Sequence, residues 1–103
     1  MNIQYKKGVL ELCVLALLDV RDRYGYEISE YLSGRIDIAD GTVYPILRKL
    51  KSDGLVVTYL SEESGGPPRK YYSLTSLGRQ TFASDKAEYL TFANTVENIL
   101  EGQ

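Results

Sequence analysis

Thr42, Tyr44, Arg48, Lys49 and Lys51 lie in one short stretch and combine hydroxyls with cations at helical spacing. Such groups donate hydrogen bonds to anionic oxygens and to base edges, which is the chemistry of nucleic-acid recognition. Arg48 has the length and planar fork to reach a guanine or a phosphate, while Lys49 and Lys51 suit phosphates. A second group, Arg69, Lys70 and Tyr71, follows a segment holding Gly65, Gly66, Pro67 and Pro68. A charged Gly/Pro tip can follow a nucleic-acid backbone or its minor groove. Glu62 and Glu63 begin the same segment with negative charge, which argues against deep groove entry by its first half.

Catalysis finds no comparable set of residues. The chain has no histidine, no phosphate-loop glycine pattern and no metal-ligand spacing, so no catalytic residue, metal site or cofactor is expected. The single cysteine, Cys13, lies in an apolar stretch with no Lys, Arg or His beside it. It reads as a small buried hydrophobe rather than a reactive thiol.

The elements that position these residues follow from periodicity. Residues 8–18 are apolar almost all round, broken only by Glu11, as in a buried helix or one caught between subunits. Residues 19–23 read as a charged turn. Residues 26–32 predict a short helix whose inner face carries Tyr26, Ser29 and Leu32, joined by Ile28. In residues 40–52, Val43, Ile46, Leu47 and Leu50 fall at i, i+3, i+4 and i+7, which assigns a helix and leaves Thr42, Tyr44, Pro45, Arg48 and Lys49 on its other faces. Pro45 requires that helix to begin near Gly41 or Thr42, because only first-turn amides lack an intrahelical acceptor. Gly54 followed by Leu55 is a helix stop. Residues 55–61 and 70–74 are rich in β-branched and aromatic side chains and predict a hairpin with a long tip, its alternation too irregular to assign a core face. Of the neighbours Tyr71 and Tyr72, one ring is expected inside and one outside. Thr75 is a helix N-cap, and the pattern beyond it runs helical to Leu100. Phe82, Tyr89 and Val96 repeat every seven residues, as do Phe92 and Ile99. These serve either their own domain or a partner helix, and the heptad favours the partner.

At 103 residues, 44% hydrophobic and 25% charged, the chain is expected to be one soluble domain, neither disordered nor membrane-spanning. One cysteine and no secretory pattern point to the cytoplasm. The net charge of −2 argues against nucleic acid as a partner, but residues 41–80 carry six Lys and Arg against three Asp and Glu, between two acidic flanks. One locally basic surface is compatible with DNA.

The order helix, helix, helix, hairpin, long helix is that of a winged helix-turn-helix with an appended helix. Tyr24-Gly25-Tyr26-Glu27-Ile28, Gly41-Thr42-Val43-Tyr44-Pro45-Ile46-Leu47, Gly54-Leu55, Gly66-Pro67-Pro68-Arg69-Lys70-Tyr71-Tyr72 and Leu74-Thr75-x-x-Gly78 together resemble the PadR family of regulators. The resemblance implies a mainly α fold with a small β-hairpin: a winged-helix DNA-binding domain over residues 1–75 and a C-terminal dimerisation helix over 76–103. It further implies a homodimeric, ligand- or stress-responsive repressor that reads a pseudo-palindromic operator on double-stranded DNA. Thr42, Tyr44, Pro45, Arg48, Lys49, Arg69, Lys70 and Tyr71 would meet DNA, and Phe82, Tyr89, Phe92, Val96 and Ile99 would form the dimer interface. Nine tyrosines and two phenylalanines either simply pack or line a cavity for a small aromatic or phenolic effector, as in some members of the family. The alternative is a winged-helix module that binds protein, which would not need Arg48, Lys49, Arg69 and Lys70 gathered on one surface.

Overall fold

The computed structural model describes residues 3–62 and 65–102, with helix side chains at the N-terminus described from Gly8. Among these residues the order is α1 (Ile3–Val20), β1 (Arg23–Tyr24), α2 (Gly25–Ser33), α3 (Val43–Ser52), β2 (Val56–Ser61), β3 (Arg69–Leu74) and α4 (Ser76–Leu100). The strands form an antiparallel sheet in the order β1-β3-β2. No described helix is long and apolar enough to cross a membrane.

The core lies where α1, α2 and α3 meet the inner face of the sheet. Leu10, Val14 and Leu18 of α1, Ile28 and Leu32 of α2, and Val43, Ile46, Leu47 and Leu50 of α3 close on Val56, Tyr72 and Leu74. Helix α3 has ten residues, too few to be stable alone in water. Its four buried aliphatic side chains, each worth about 1.5–3 kcal/mol on burial, hold it in place. Pro45 is its third residue, in the first turn as its missing N–H requires. The helix ends as the glycine predicts: Leu55 N–H donates to Leu50 O at 2.9 Å and Gly54 N–H to Lys51 O at 3.1 Å, with Gly54 at φ +76°. This paired closure is a Schellman motif.

Residues 19–23 are not the simple charged turn expected. Helix α1 continues through Val20, and Arg23 enters the sheet opposite Tyr72. A strand of two residues is too short to show alternation, so periodicity had no means of revealing it. Arg23 is also buried: its guanidinium donates from Nε to Leu17 O at 3.1 Å and meets Glu27 at 3.5 Å. It thereby satisfies a carbonyl in the last turn of α1, where a cation also complements the helix dipole.

Helix α2 is turned relative to its predicted orientation. Gly25 belongs to it, so Gly25, Ile28 and Leu32 form the inner face, while Tyr26 is 60% exposed.

The start of α4 is bolted to the end of α3. Thr75 caps it by accepting from Gly78 N–H at 3.0 Å, and the same hydroxyl donates to Gly54 O at 2.8 Å. Thr75 N–H donates to Leu55 O at 3.1 Å. Past Tyr89 the helix is mostly exposed, including Leu90, Phe92, Ile99 and Leu100.

Candidate nucleic-acid interface

The sheet register decides which strand residues face α3. Val56 pairs with Leu74, Thr58 with Tyr72 and Leu60 with Lys70, and these pairs share the inner face; Tyr59 opposite Tyr71 lies on the outer one. Lys70 therefore continues the inner face beyond the core, out onto the hairpin. There it lines a cleft of about 620 Å³ with Tyr24, Gly25, Tyr26, Tyr44, Arg69 and Tyr72. The cleft brings together the first turn of α3, the start of α2 and the base of the hairpin, three segments distant in sequence.

On α3, Tyr44, Arg48 and Lys51 are exposed and fall at i, i+4 and i+7, one stripe of the helix. Pro45 is exposed beside them. Arg48 is close enough to Tyr72 to act on it electrostatically: burial and Tyr44 push the Tyr72 hydroxyl pKa up, and Arg48 opposes them. The phenol thus remains a proton donor at neutral pH. Tyr26 donates to Glu30 Oε1 at 2.6 Å, and this bond holds its pKa above the ordinary value. Thr42 donates from both its N–H and its hydroxyl to Ala39 O, at 3.2 and 2.7 Å. In this arrangement its hydroxyl can only accept, which suits a base amino group and not a phosphate.

Two expected contact residues lie elsewhere. Tyr71 is on the outer face of the sheet, stacked on Tyr59 at 5.7 Å and edge-on to Tyr24 at 5.6 Å. Its neighbour Tyr72 lines the cleft instead, because adjacent strand residues point oppositely. Of the four cations expected on one surface, Arg69 and Lys70 line the cleft, Arg48 lies on the α3 stripe beside it, and Lys49 points elsewhere. Its ammonium lies 3.2 Å from Asp53 and 3.5 Å from Glu11 of α1, and these carboxylates raise its pKa. Arg69 stands at the cleft's rim with its guanidinium 4.6 Å from the centre of the Tyr24 ring. Glu62 is exposed at the end of the hairpin strand, and Glu63 lies outside the described residues. Tyr24, Tyr26 and Tyr72 are cleft residues that periodicity missed. The Tyr-Gly-Tyr string was visible, but its meeting with the hairpin was not.

On the opposite side, Lys49 and Asp53 border a groove of about 560 Å³ between α1, the end of α3 and α4, which also exposes Glu11, Asp85, Glu88, Tyr89 and Phe92. Tyr89 and Val96 are half-buried, Phe92 and Ile99 exposed, and Phe82 packs against the domain's own core. The described tyrosines gather mainly around the cleft and hairpin, so few aromatic rings line this groove. Cys13 is half-buried against the core, and burial pushes its thiol pKa up, away from the reactive thiolate.

The chain matches the transcriptional regulator PadR-like family over residues 14–84. A PadR-like transcriptional regulator of Bacillus cereus is 34% identical, with a TM-score of 0.88 over 97% of this chain and 99% of that one. A Streptococcus transcriptional regulator is 33% identical, with a TM-score of 0.87 over 95% and 98%. An uncharacterized protein of Lysinibacillus sphaericus is 32% identical over 100 residues, covering 93% of this chain and 92% of its own. The match takes in α2, α3 and the hairpin, the segments that build the cleft, together with the first turns of α4, and the chain belongs to the PadR-like family of DNA-binding transcriptional regulators.

Proposed function

We propose that this regulator is a homodimeric repressor that binds a pseudo-palindromic operator in the cytoplasm and is released by a small-molecule or stress signal. The observation that carries the DNA-binding mode is the cleft, where Tyr44 of α3 faces Lys70 of the hairpin. In this reading the first turns of α3 enter the major groove, Tyr44 and Arg48 reach base edges, Thr42 accepts from a base amino group, and Pro45 sets the entry angle. Lys70 and Arg69 hold the adjacent backbone. The PadR-like family is one of regulators, not enzymes.

Dimerisation through α4 is supported by Phe92 and Ile99, which are 55% and 65% exposed beside the half-buried Tyr89 and Val96. Such an apolar stripe on a projecting helix is expected to pair with its copy. Light scattering at micromolar concentration should give twice the chain mass, and the double substitution Phe92→Asp, Val96→Asp should give the single mass with the winged-helix core still folded. A parent monomer, or a variant that keeps the parent's mass, overturns this interface.

The groove between α1 and α4 suits an effector, and its charge selects the kind. Glu11, Asp53, Asp85 and Glu88 outnumber Lys49 there, so a planar aromatic cation is favoured and a phenolic acid disfavoured. A planar cation should raise the melting temperature and release DNA, while a phenolic acid at equal concentration should do neither. Stabilisation by the acid, or indifference to both, removes this ligand class.

A further inference from the structure

Tyr72 is only 9% exposed, yet among the described residues no protein group hydrogen-bonds to its hydroxyl, although its ring lines the cleft. The ring is packed away while the hydroxyl opens onto the cleft, for among the described residues no buried side-chain nitrogen or oxygen lacks a partner. The surroundings indicate what a hydroxyl at this place can meet. A methyl placed on Gly25, the first residue of α2, would lie 3.1 Å from Tyr44 Cε1 and 3.6 Å from Tyr72 Cε1. The two phenol rings therefore converge on the N-terminus of α2. Tyr24 at the N-cap supplies no side-chain acceptor, so the first-turn amides of this nine-residue helix have no capping group. Lys70 and Arg69 border the same cleft. Amide donors, a phenol donor, the positive end of a helix and two cations converge on a space without a carboxylate in its lining, and that combination selects an oxyanion.

We propose that this cleft seats one phosphate of the duplex backbone in each half-site, held by the Tyr72 hydroxyl, the first-turn amides of α2 and the Lys70 ammonium. The proposal rests on the DNA-binding reading and adds to it a contact made by α2 and by a core tyrosine of the sheet. It accounts for the depth of Tyr72: the ring packs under α3 while the hydroxyl ends at the point where the backbone would pass. The seat fixes the distance between the phosphate and the first turn of α3, and so the depth at which Tyr44 and Arg48 meet the bases.

The test uses the full chain and a duplex selected by the parent protein from a random library. Tyr72→Phe removes one oxygen and keeps the packed ring. It should weaken binding on the order of tenfold per half-site, as for a hydrogen bond to a charged group. The loss should be equal on selected and scrambled duplexes, since a phosphate carries no sequence. The salt slope should not change, since no cation is removed. A scan of single methylphosphonates should find one phosphate per half-site whose neutralisation weakens the parent and leaves Tyr72→Phe no weaker. Lys70→Met, a surface change independent of core packing, should couple to that same phosphate. Binding by Tyr72→Phe within twofold of the parent, losses additive with every methylphosphonate, or coupling of Lys70 to a different phosphate overturns the proposal. Inorganic phosphate and a mononucleotide offer the same oxyanion. If either binds the cleft at micromolar concentration while no duplex phosphate couples to Tyr72, the seat belongs to a free phosphate compound and the DNA assignment fails. A parent protein that selects no duplex overturns the DNA-binding reading itself, an outcome distinct from a parent that binds while Tyr72 is indifferent.

Discussion

Gly78→Ala should destabilise the fold by about 3 kcal/mol or more, at the upper end of the range for a forced steric insertion. A β-carbon at this position would lie 2.1 Å from the carbonyl oxygen of Leu55 and 3.0 Å from Leu74 Cδ2. The first obstacle is backbone, and that backbone is held in place. Leu55 O accepts from Thr75 N–H, and Gly54 O accepts from the Thr75 hydroxyl that also caps α4. Relieving the clash means breaking the cap, worth about 1 kcal/mol, or lifting α4 away from the end of α3. In a domain of this size each kcal/mol lowers the melting temperature by roughly 4–8 °C, so a fall of more than 10 °C is expected, with urea unfolding giving the free energy. A variant within 0.5 kcal/mol of the parent would mean that the junction between α3 and α4 is pliable. DNA binding should fail in step with folding, because this junction joins the DNA-binding half to the helix proposed to join two copies.

That junction also shows what a single sequence makes legible. Thr75 as a cap and Gly54 as a stop are local signals with local causes, and both appear in the structure where the residue types require them. The i, i+3, i+4, i+7 pattern of α3 is equally local, and its four apolar residues are the buried ones. The residues whose place a single sequence leaves open are those whose environment depends on distant chain. Tyr26 sits at a helical position that reads as inner, but Gly25, with no side chain to register in the pattern, is what turns the buried face of α2 toward α3 and the sheet. Tyr71 and Tyr72 can be separated only by strand register, and the register is set by β1 and by a hairpin whose alternation is irregular. Lys49 looks like Arg48 in sequence. One step of about 100° around the helix carries it from the exposed stripe of Tyr44 and Arg48 to the acidic groove, where Glu11, far away in the chain, neutralises it.

The difference between Lys49 and Lys70 becomes a difference in salt dependence. Each cation that neutralises a phosphate releases counterions, and its loss lowers the slope of log K against log salt by about one, hence by about two in a dimer. Lys70→Ala should show that change on every duplex alike. Lys49→Ala should leave the slope nearly unaltered, because Asp53 and Glu11 already pair with its ammonium and it faces away from the cleft. Tyr44→Ala and Arg48→Ala should behave differently from both. They remove groups proposed to meet base edges, at roughly 1–3 kcal/mol per contact, and the two copies in a dimer bring the loss to roughly 2–6 kcal/mol on the selected duplex. On a scrambled duplex the loss should be far smaller for Tyr44→Ala, so discrimination between the two duplexes collapses. Titrations at several salt concentrations on both duplexes separate the cases. If Tyr44→Ala weakens both duplexes equally, α3 holds the backbone without reading bases, and if Lys49→Ala lowers the slope as much as Lys70→Ala, its pairing with Asp53 and Glu11 gives way to phosphate when DNA binds.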